Sequence, residues 1–563
     1  MTAAPARPAR VRPRAPRGLP DLLAHRAAAE PERTAMVCGP RSLTFGAWRA
    51  RAEALAAGLR SRGLAPGDRV VLRYGGGDWI AYAVAYCGVL RAGCVAVPLS
   101  DRQAPAVAAH VLADSGASAV LHGPGGGMPG GVPDGVWEAT AEDVEAAAAP
   151  HPGAAPDSVP GDQAGPGDHA GPGGHAGQGD GSVPGDHAGQ GDGSAPGQSH
   201  PAPGARPGPG PEPDPAALAQ ILYTSGTTGT PKGVTATHAN LVHGCTLDER
   251  RRPLRHSRHF LHAFPVGTNA GQTMLVNALD SAATAVVAPQ FTPGRFARLI
   301  EEHAVGSVFL VPAMAIELLG SDTARRWSTD SVRLVGSTAA ALPQPVALGL
   351  ARAFPAAQVV NYYTSTEAAP AQITLLFDPE RPDSPGRPAS VSELRITTSE
   401  GAPLPPGEPG EVWLRSPAAP RTYLGDTEAG AEVFQGRWVR MGDLGRLDEE
   451  GYLHLLDRER DVVKSGAYKV STLQVENALH AHPEVADAAA FGVPHPVLGS
   501  VVAAVVVPRG ELTVPALRTF LLDRLASHEL PARLLFRPSL PRNEGGKILK
   551  RELRLLLDDE ALR

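Results

Sequence analysis

The chain is poor in cysteine and in aromatic side chains. Its 563 residues hold four cysteines, Cys38, Cys87, Cys94 and Cys245, and aromatics make up 5%. None of the cysteines forms a Cys-x-x-Cys pair or a zinc-ligand spacing, so a disulfide scaffold or zinc site is not expected. Four thiols in so long a chain fit a reducing compartment, and a cytoplasmic location is expected. No run of ~18 apolar residues occurs, so no membrane-spanning helix is expected. The net charge is −6 and no basic block sits inside a folded-looking region. Nucleic acid is therefore not the expected partner, because phosphate neutralisation needs a clustered positive face. Arg7, Arg10, Arg12, Arg14 and Arg17 stand among prolines and alanines with no apolar stretch behind them. Residues 1–18 read as a disordered basic tail rather than a secretory signal.

What is present is enough for large cores, with 42% hydrophobic residues. At ~150 residues per domain the length suggests two to four globular units. Between residues 19 and 121, "LTFGAWRARAEALAAGLRSRG" and "WIAYAVAYCGVLRAG" have helical spacing, and "DRVVLRY" and "CVAVPL" read as buried strands. That alternation predicts an α/β unit with parallel strands. From 146 to 213 the composition collapses to Gly, Pro, Ala, Asp and His, with near-repeats such as "VPGDHAGQGDGS". This segment lacks the apolar side chains to offset ordering entropy and reads as a disordered insertion. Strand-like "ALAQILYT" then runs into a glycine-rich loop, and alternating apolar segments continue to about residue 456. Turn signals crowd between Glu393 and Arg460, predicting a smaller antiparallel or barrel-like section. The last hundred or so residues hold two helix-like and two strand-like segments, expected as a small α+β domain over 457–563.

The string Tyr223 to Val234, "YTSGTTGTPKGV", carries chemistry. Gly226 and Gly229 allow a tight backbone that comes close to a ligand. Backbone N–H groups and the hydroxyls of Thr224, Ser225, Thr227 and Thr228 can then surround phosphate oxygens, with Lys232 as a point charge. A Walker A loop is excluded, because Pro231 precedes the lysine and Gly233 follows it.

This string resembles the signature of the adenylate-forming (AMP-binding) superfamily, which includes acyl-CoA synthetases, adenylation domains and luciferases. Further segments resemble that family in the same order. In "NYYTSTE" the resemblance implies that Tyr363 contacts the nucleotide, that the Thr366 hydroxyl meets phosphate and that Glu367 holds Mg²⁺. In "VRMGDLG" it implies that Asp443 accepts hydrogen bonds from the ribose hydroxyls. In the stretch from Asp457 to Glu476 it implies that Arg458 contacts the nucleotide and that Arg460 is the hinge. Lys464 to Tyr468, with Gly466 and Ala467, would form the loop that serves the thiol step. In "PRNEGGKILKREL", Lys547 takes the place of the catalytic lysine.

The implied fold is a large α/β N-terminal domain, 19–456, with a small barrel-like section and a mobile α+β C-terminal domain. The implied activity is ATP- and Mg²⁺-dependent conversion of a carboxylic acid to its acyl-adenylate, then transfer to CoA. Transfer to a carrier-protein thiol or an amine, or adenylation of a non-carboxylate oxyanion, are the alternatives. A monomer or homodimer is expected. The departures from the family pattern cluster where the acyl group belongs: Thr268 and Asn269 in "PVGTNAG", Ala340 in "GSTAAALP", and Thr364 and Ser365. Added hydroxyls there predict a small or polar acid, since a buried hydroxyl without a partner is costly.

Overall fold

The computed structural model describes residues 15–148, 212–224, 230–321, 326–382, 384–388, 393–425 and 427–561. Most of the insertion inferred over 146–213, and residues 1–14 of the inferred tail, lie outside them. Residues 146–148 close a helix, Ala141–Ala148, and Arg17 pairs with Glu212.

Among the described residues the strands form four sheets. A seven-stranded sheet runs in the order Thr422–Tyr423, Lys232–Thr237, Leu218–Thr224, Val95–Ser100, Arg69–Tyr74, Ala119–His122 and Trp137–Thr140. It is parallel from Leu218–Thr224 onward and antiparallel at its first edge. A nine-stranded sheet has a parallel centre that includes His259–His262, Ser307–Leu310, Leu334–Ser337 and Gln358–Tyr363, with antiparallel edges. Valine, isoleucine and leucine fill the parallel strands because both of their faces are covered.

The helix Trp79–Arg91 is apolar on every side, and each residue from Trp79 to Leu90 is buried. A helix without a polar face belongs in a core. It touches Arg69–Tyr74 and Val95–Ser100 of one sheet and Thr34–Cys38 of the other, so it is the wedge between them. Beside it, the helix Phe45–Ser61 buries Trp48, whose indole N–H donates to the Ala83 carbonyl at 2.9 Å. Thr44 caps that helix by accepting from the Ala47 N–H.

The crowded turn signals after residue 393 correspond to a five-stranded antiparallel sheet that includes Gly410–Arg415, Trp438–Leu447 and Leu453–Arg458. The last sheet joins Val463–Ser465, Tyr468–Val470, Val485–His495, Gly499–Pro508 and Arg533–Phe536. Helices Thr472–His480 and Val514–Leu522 pack on it. The apolar clusters on either side of residues 456–462 share no member: those before end at Leu455, those after begin at Val463. The chain therefore has a large lobe and a C-terminal lobe, each with its own core. No helix among the described residues is long and apolar enough to cross a membrane.

Candidate active site

In open α/β sheets ligands gather at the carboxyl ends of parallel strands. The segments singled out above leave those ends. Val311 and Thr338 follow strands Ser307–Leu310 and Leu334–Ser337, Tyr363 ends its strand, and the turn after Ser100 ends a strand of the other sheet. The two sheets meet here: a Cβ on Gly267 would stand 3.1 Å from the Ser100 nitrogen, a tight approach that glycine eases. Gly336 is confined more closely, with Tyr362 and Phe309 at 2.6 and 2.9 Å from an added Cβ.

Four of the expected nucleotide and catalytic residues converge. The Tyr363 hydroxyl donates to Asp443 Oδ2 at 2.6 Å, and Arg458 Nε stands 3.5 Å from Asp443 Oδ1. Asp443 and Arg458 face each other across strands Trp438–Leu447 and Leu453–Arg458. Burial and the Asp443 carboxylate push the Tyr363 phenol well above its ordinary range, so it stays a donor. Burial lowers the Lys547 ammonium to about 7, reinforced by Arg458 and Arg460 and opposed by Asp461 and Asp443. An ammonium so placed is stabilised by an anion, which makes the group a candidate anion-binding corner.

Lys547 rides on a closed turn. The Asn543 N–H donates to the Lys547 carbonyl and the Lys547 N–H to Asn543 Oδ1, both at 2.9 Å. Arg542 donates to the Gly546 carbonyl at 2.7 Å and pairs with Asp487. Gly546 has a φ of 79°, and a Cβ there would also stand 2.8 Å from Val311.

On the phosphate side, Thr224 and Lys232 are partners across the antiparallel strands that flank the glycine-rich string. Ser225, Gly226, Thr227, Thr228 and Gly229 lie outside the described residues. The Lys232 ammonium stands 5.2 Å over the Tyr423 ring, and the Tyr423 hydroxyl donates to Glu367 Oε1 at 3.1 Å. Beneath them Arg421 is 6% exposed and donates to the Thr366 carbonyl at 3.0 Å. Burial lowers its guanidinium to about 10, so it remains charged beside Glu367. Sequence reasoning missed Arg421 and Tyr423. They reach the site only because Thr422–Tyr423 pairs with the strand after the phosphate loop.

The acyl side corrects one argument. Thr268 caps the helix Asn269–Asp280: its hydroxyl donates to the Pro265 carbonyl at 2.8 Å and accepts from the Gly271 N–H at 3.0 Å. Thr364 donates to the Ala371 carbonyl at 2.7 Å, and Ser365 accepts from the Ala368 N–H at 3.0 Å. The hydroxyl protons of Thr268 and Thr364 are satisfied by backbone, so these two residues do not call for a polar group on the ligand. Asn269 begins that helix and is half-buried, as is Ala340, which follows Ala339 at a φ of 73°. Asn361, buried at the end of the same nine-stranded sheet, was also missed. With Ala341, Leu342, Leu455 and Asn477 it lines a small cleft at the seam of the two lobes.

Arg460 lies close enough to act on Lys547 electrostatically, whereas Lys464, Gly466 and Ala467 are exposed on a hairpin of the C-terminal lobe. Gly466 takes the left-handed conformation at a φ of 58°, so Ala467 sits in the turn without strain. Among the described residues no hydrogen bond or ion pair joins this hairpin to the Tyr363–Asp443–Arg458 group. No group of three or more potential metal ligands of the His, Cys, Asp and Glu type occurs among the described residues.

The AMP-binding enzyme pattern matches residues 23–424, and the pattern of the AMP-binding enzyme C-terminal domain matches residues 474–547. A feruloyl-CoA synthase of Amycolatopsis sp is 31% identical over 545 residues, 95% of this chain and 98% of that protein. A 2-succinylbenzoate–CoA ligase of Bacillus cereus (strain AH820) is 31% identical over 345 residues, 60% of this chain and 70% of the relative. Among solved structures, an amide bond synthetase from Marinactinospora thermotolerans has a TM-score of 0.72 at 25% identity, over 96% of this chain and 99% of that one. An o-succinylbenzoate CoA synthetase from Bacillus subtilis, bound to its acyl-adenylate, has a TM-score of 0.73 at 23% identity over 95% and 97%, a likeness of fold.

Proposed function

Because the chain belongs to the AMP-binding enzyme family, as the matches to both lobes show, we propose that it joins an aromatic carboxylic acid to the thiol of coenzyme A through an acyl-adenylate. The observation that carries this reading is the meeting of Tyr363, Asp443, Arg458 and Lys547 at the strand ends. The near full-length likeness to a feruloyl-CoA synthase supports an aromatic acid. So does the acyl side, where the hydroxyls of Thr268 and Thr364 already donate to backbone carbonyls.

In the first step a carboxylate oxygen bonds to the α-phosphorus of ATP while the bond to pyrophosphate breaks. The carboxylate is ionised at neutral pH, so no general base is required. Catalysis rests on positioning and on charges aimed at the transition state. Asp443 accepts from the ribose hydroxyls, with Tyr363 and Arg458 fixing its two oxygens. The cleft at Ala341, Leu342 and Asn361 takes the adenine. Lys547 gains its proton as the carboxylate and α-phosphate arrive and offsets their charge. Lys232 and the hydroxyls of the phosphate loop hold the β- and γ-phosphates. Glu367 fits a magnesium ion: Tyr423 holds one oxygen, and the other has no hydrogen-bond partner among the described residues. Such an ion would neutralise phosphate charge when bound. In the second step the thiol sulfur bonds to the acyl carbon, the bond to AMP breaks and the thiol proton passes to solvent. The Lys464–Tyr468 hairpin serves that step after rotation about Arg460.

The test is pyrophosphate release from ATP and Mg²⁺ across ferulate, benzoate, malonate, an amino acid, acetate and an inorganic oxyanion, with and without CoA. Release with an aromatic acid, and a CoA thioester as product, is the expected result. Release with only the non-aromatic acids would overturn the substrate class. The likeness to an amide bond synthetase favours one second reading, transfer to an amine. It is distinguished by aromatic-acid-dependent release that yields amide and no thioester.

A further inference from the structure

The turn that carries Lys547 also carries Glu544, and Glu544 has no task within its own lobe. The turn is already closed by Arg542 on the Gly546 carbonyl, by the paired bonds between Asn543 and Lys547, and by the ion pair of Arg542 with Asp487. Among the described residues both hydrogen-bond partners of the Glu544 side chain lie in the large lobe. Ser100 Oγ donates to Glu544 Oε1 at 2.7 Å, and Gln103 Nε2 donates to Glu544 Oε2 at 3.0 Å. Ser100 is itself organised, since its oxygen accepts from the Arg102 N–H at 3.2 Å. The receiving turn follows the strand Val95–Ser100, at the strand ends where the candidate site lies. The residues meeting here are 444 positions apart in the chain.

We propose that Glu544 is a positioning residue for the first half-reaction: it fastens the Lys547 turn to Ser100 and Gln103, and so favours the lobe arrangement that forms the adenylate over the one that consumes it. The inference rests on the reading of Lys547 given above. Charged hydrogen bonds are the stronger kind, yet a carboxylate released to solvent regains its hydration. The contact is thus firm enough to bias the seam and weak enough to be released in each cycle. Burial raises the Glu544 carboxyl above its ordinary range, with Ser100 and Gln103 acting against that rise. Glutamate at 544 is therefore supported by donors that the large lobe supplies.

The experiment separates the half-reactions in the full chain. Ferulate-dependent ATP–pyrophosphate exchange reports the first, and transfer from presynthesised feruloyl-adenylate to CoA reports the second. Glu544→Ala and Ser100→Ala should each lower the exchange about tenfold, leave the transfer unchanged or faster, and combine without further loss. Glu544→Gln keeps an acceptor for Ser100 and a polar atom that the Gln103 amide can match by turning over, so it should retain most of the exchange. Equal losses in both half-reactions, or no loss in either, would overturn the proposal. Hydrogen exchange of residues 541–549 in the ligand-free chain is read alongside. Faster exchange in both single variants supports the contact, and unchanged exchange overturns it. If the wild-type chain gives no pyrophosphate exchange with any acid, the functional reading fails while the hydrogen-exchange arm still judges the contact.

Discussion

The interior of the large lobe and the seam between the lobes are held by different forces. Inside the large lobe, Trp79–Leu90 is buried without interruption and Trp48, Phe45 and Leu55 pack with it. The hydrogen bonds across the seam include Ser100 and Gln103 with Glu544, and the Gln344 N–H with Asn477 Oδ1 at 3.3 Å. At the junction, Lys550 pairs with Glu476 at 2.9 Å and lies 3.8 Å from Asp461. Apolar burial is lost in full when two surfaces part, whereas polar groups exchange protein partners for water at small net cost. The interior is held by apolar burial, whereas the hydrogen bonds of the seam can be exchanged for water.

That contrast can be broken at either end. The largest effect is expected in the interior. Trp48→Ala should cost about 3–5 kcal/mol of stability, read by urea unfolding, through the cavity it leaves. A loss below 1 kcal/mol would mean that the interior is less tightly packed than its burial implies. Lys547→Ala should leave that unfolding curve unchanged and slow ferulate-dependent pyrophosphate release by about 10²–10³-fold. Near wild-type release from the folded variant would remove Lys547 from the chemistry.

Two expectations on pH come next. Lys547 is lowered to about 7 and acts in its protonated form. The free enzyme's kcat/KM for the acid should therefore fall with rising pH through about 7. Bound anions raise the lysine's pKa, so kcat should persist to higher pH. Two profiles that fall together would contradict the role. Asp457, at the junction, accepts from the Thr472 N–H and is raised to about 6, chiefly by burial. A raised carboxyl binds more protons folded than unfolded. Its contribution to stability is thus present at low pH and lost as pH rises from about 4 to about 6, by at most about 3 kcal/mol. The difference between wild type and Asp457→Asn in urea unfolding should shrink toward low pH; a difference that does not vary with pH would refute this. The smallest effect belongs to the insertion. Replacing residues 149–211 by a short Gly/Ser linker should change pyrophosphate release by less than about twofold, since loop length enters stability only logarithmically.

Much of the site was legible because its parts are local. The hairpin from Leu218 to Thr237 announces itself by a strand, glycines and hydroxyls, and Asp443 and Arg458 lie in short strands bounded by turn residues. The helices Phe45–Ser61 and Trp79–Arg91 follow from their apolar spacing, and Gly63 at a φ of 88° ends the first. The role of Thr268 was misread because a hydroxyl in a sequence carries no sign of whether backbone already satisfies it. Arg421 and Tyr423 were missed because their neighbours in the chain say nothing of Glu367.

The sequence by itself determined the local devices: the phosphate-loop string, the helices Phe45–Ser61 and Trp79–Arg91 and the antiparallel section after residue 393. Each depends on residues within a few positions of one another, or on a periodicity that survives without the fold. Only the tertiary structure decided which distant side chains meet. Tyr363 with Asp443, Tyr423 with Glu367 and Ser100 with Glu544 are separated by 80, 56 and 444 positions. Such pairs are made by the order of strands in a sheet and the docking of one lobe on another, and neither leaves a period in the chain.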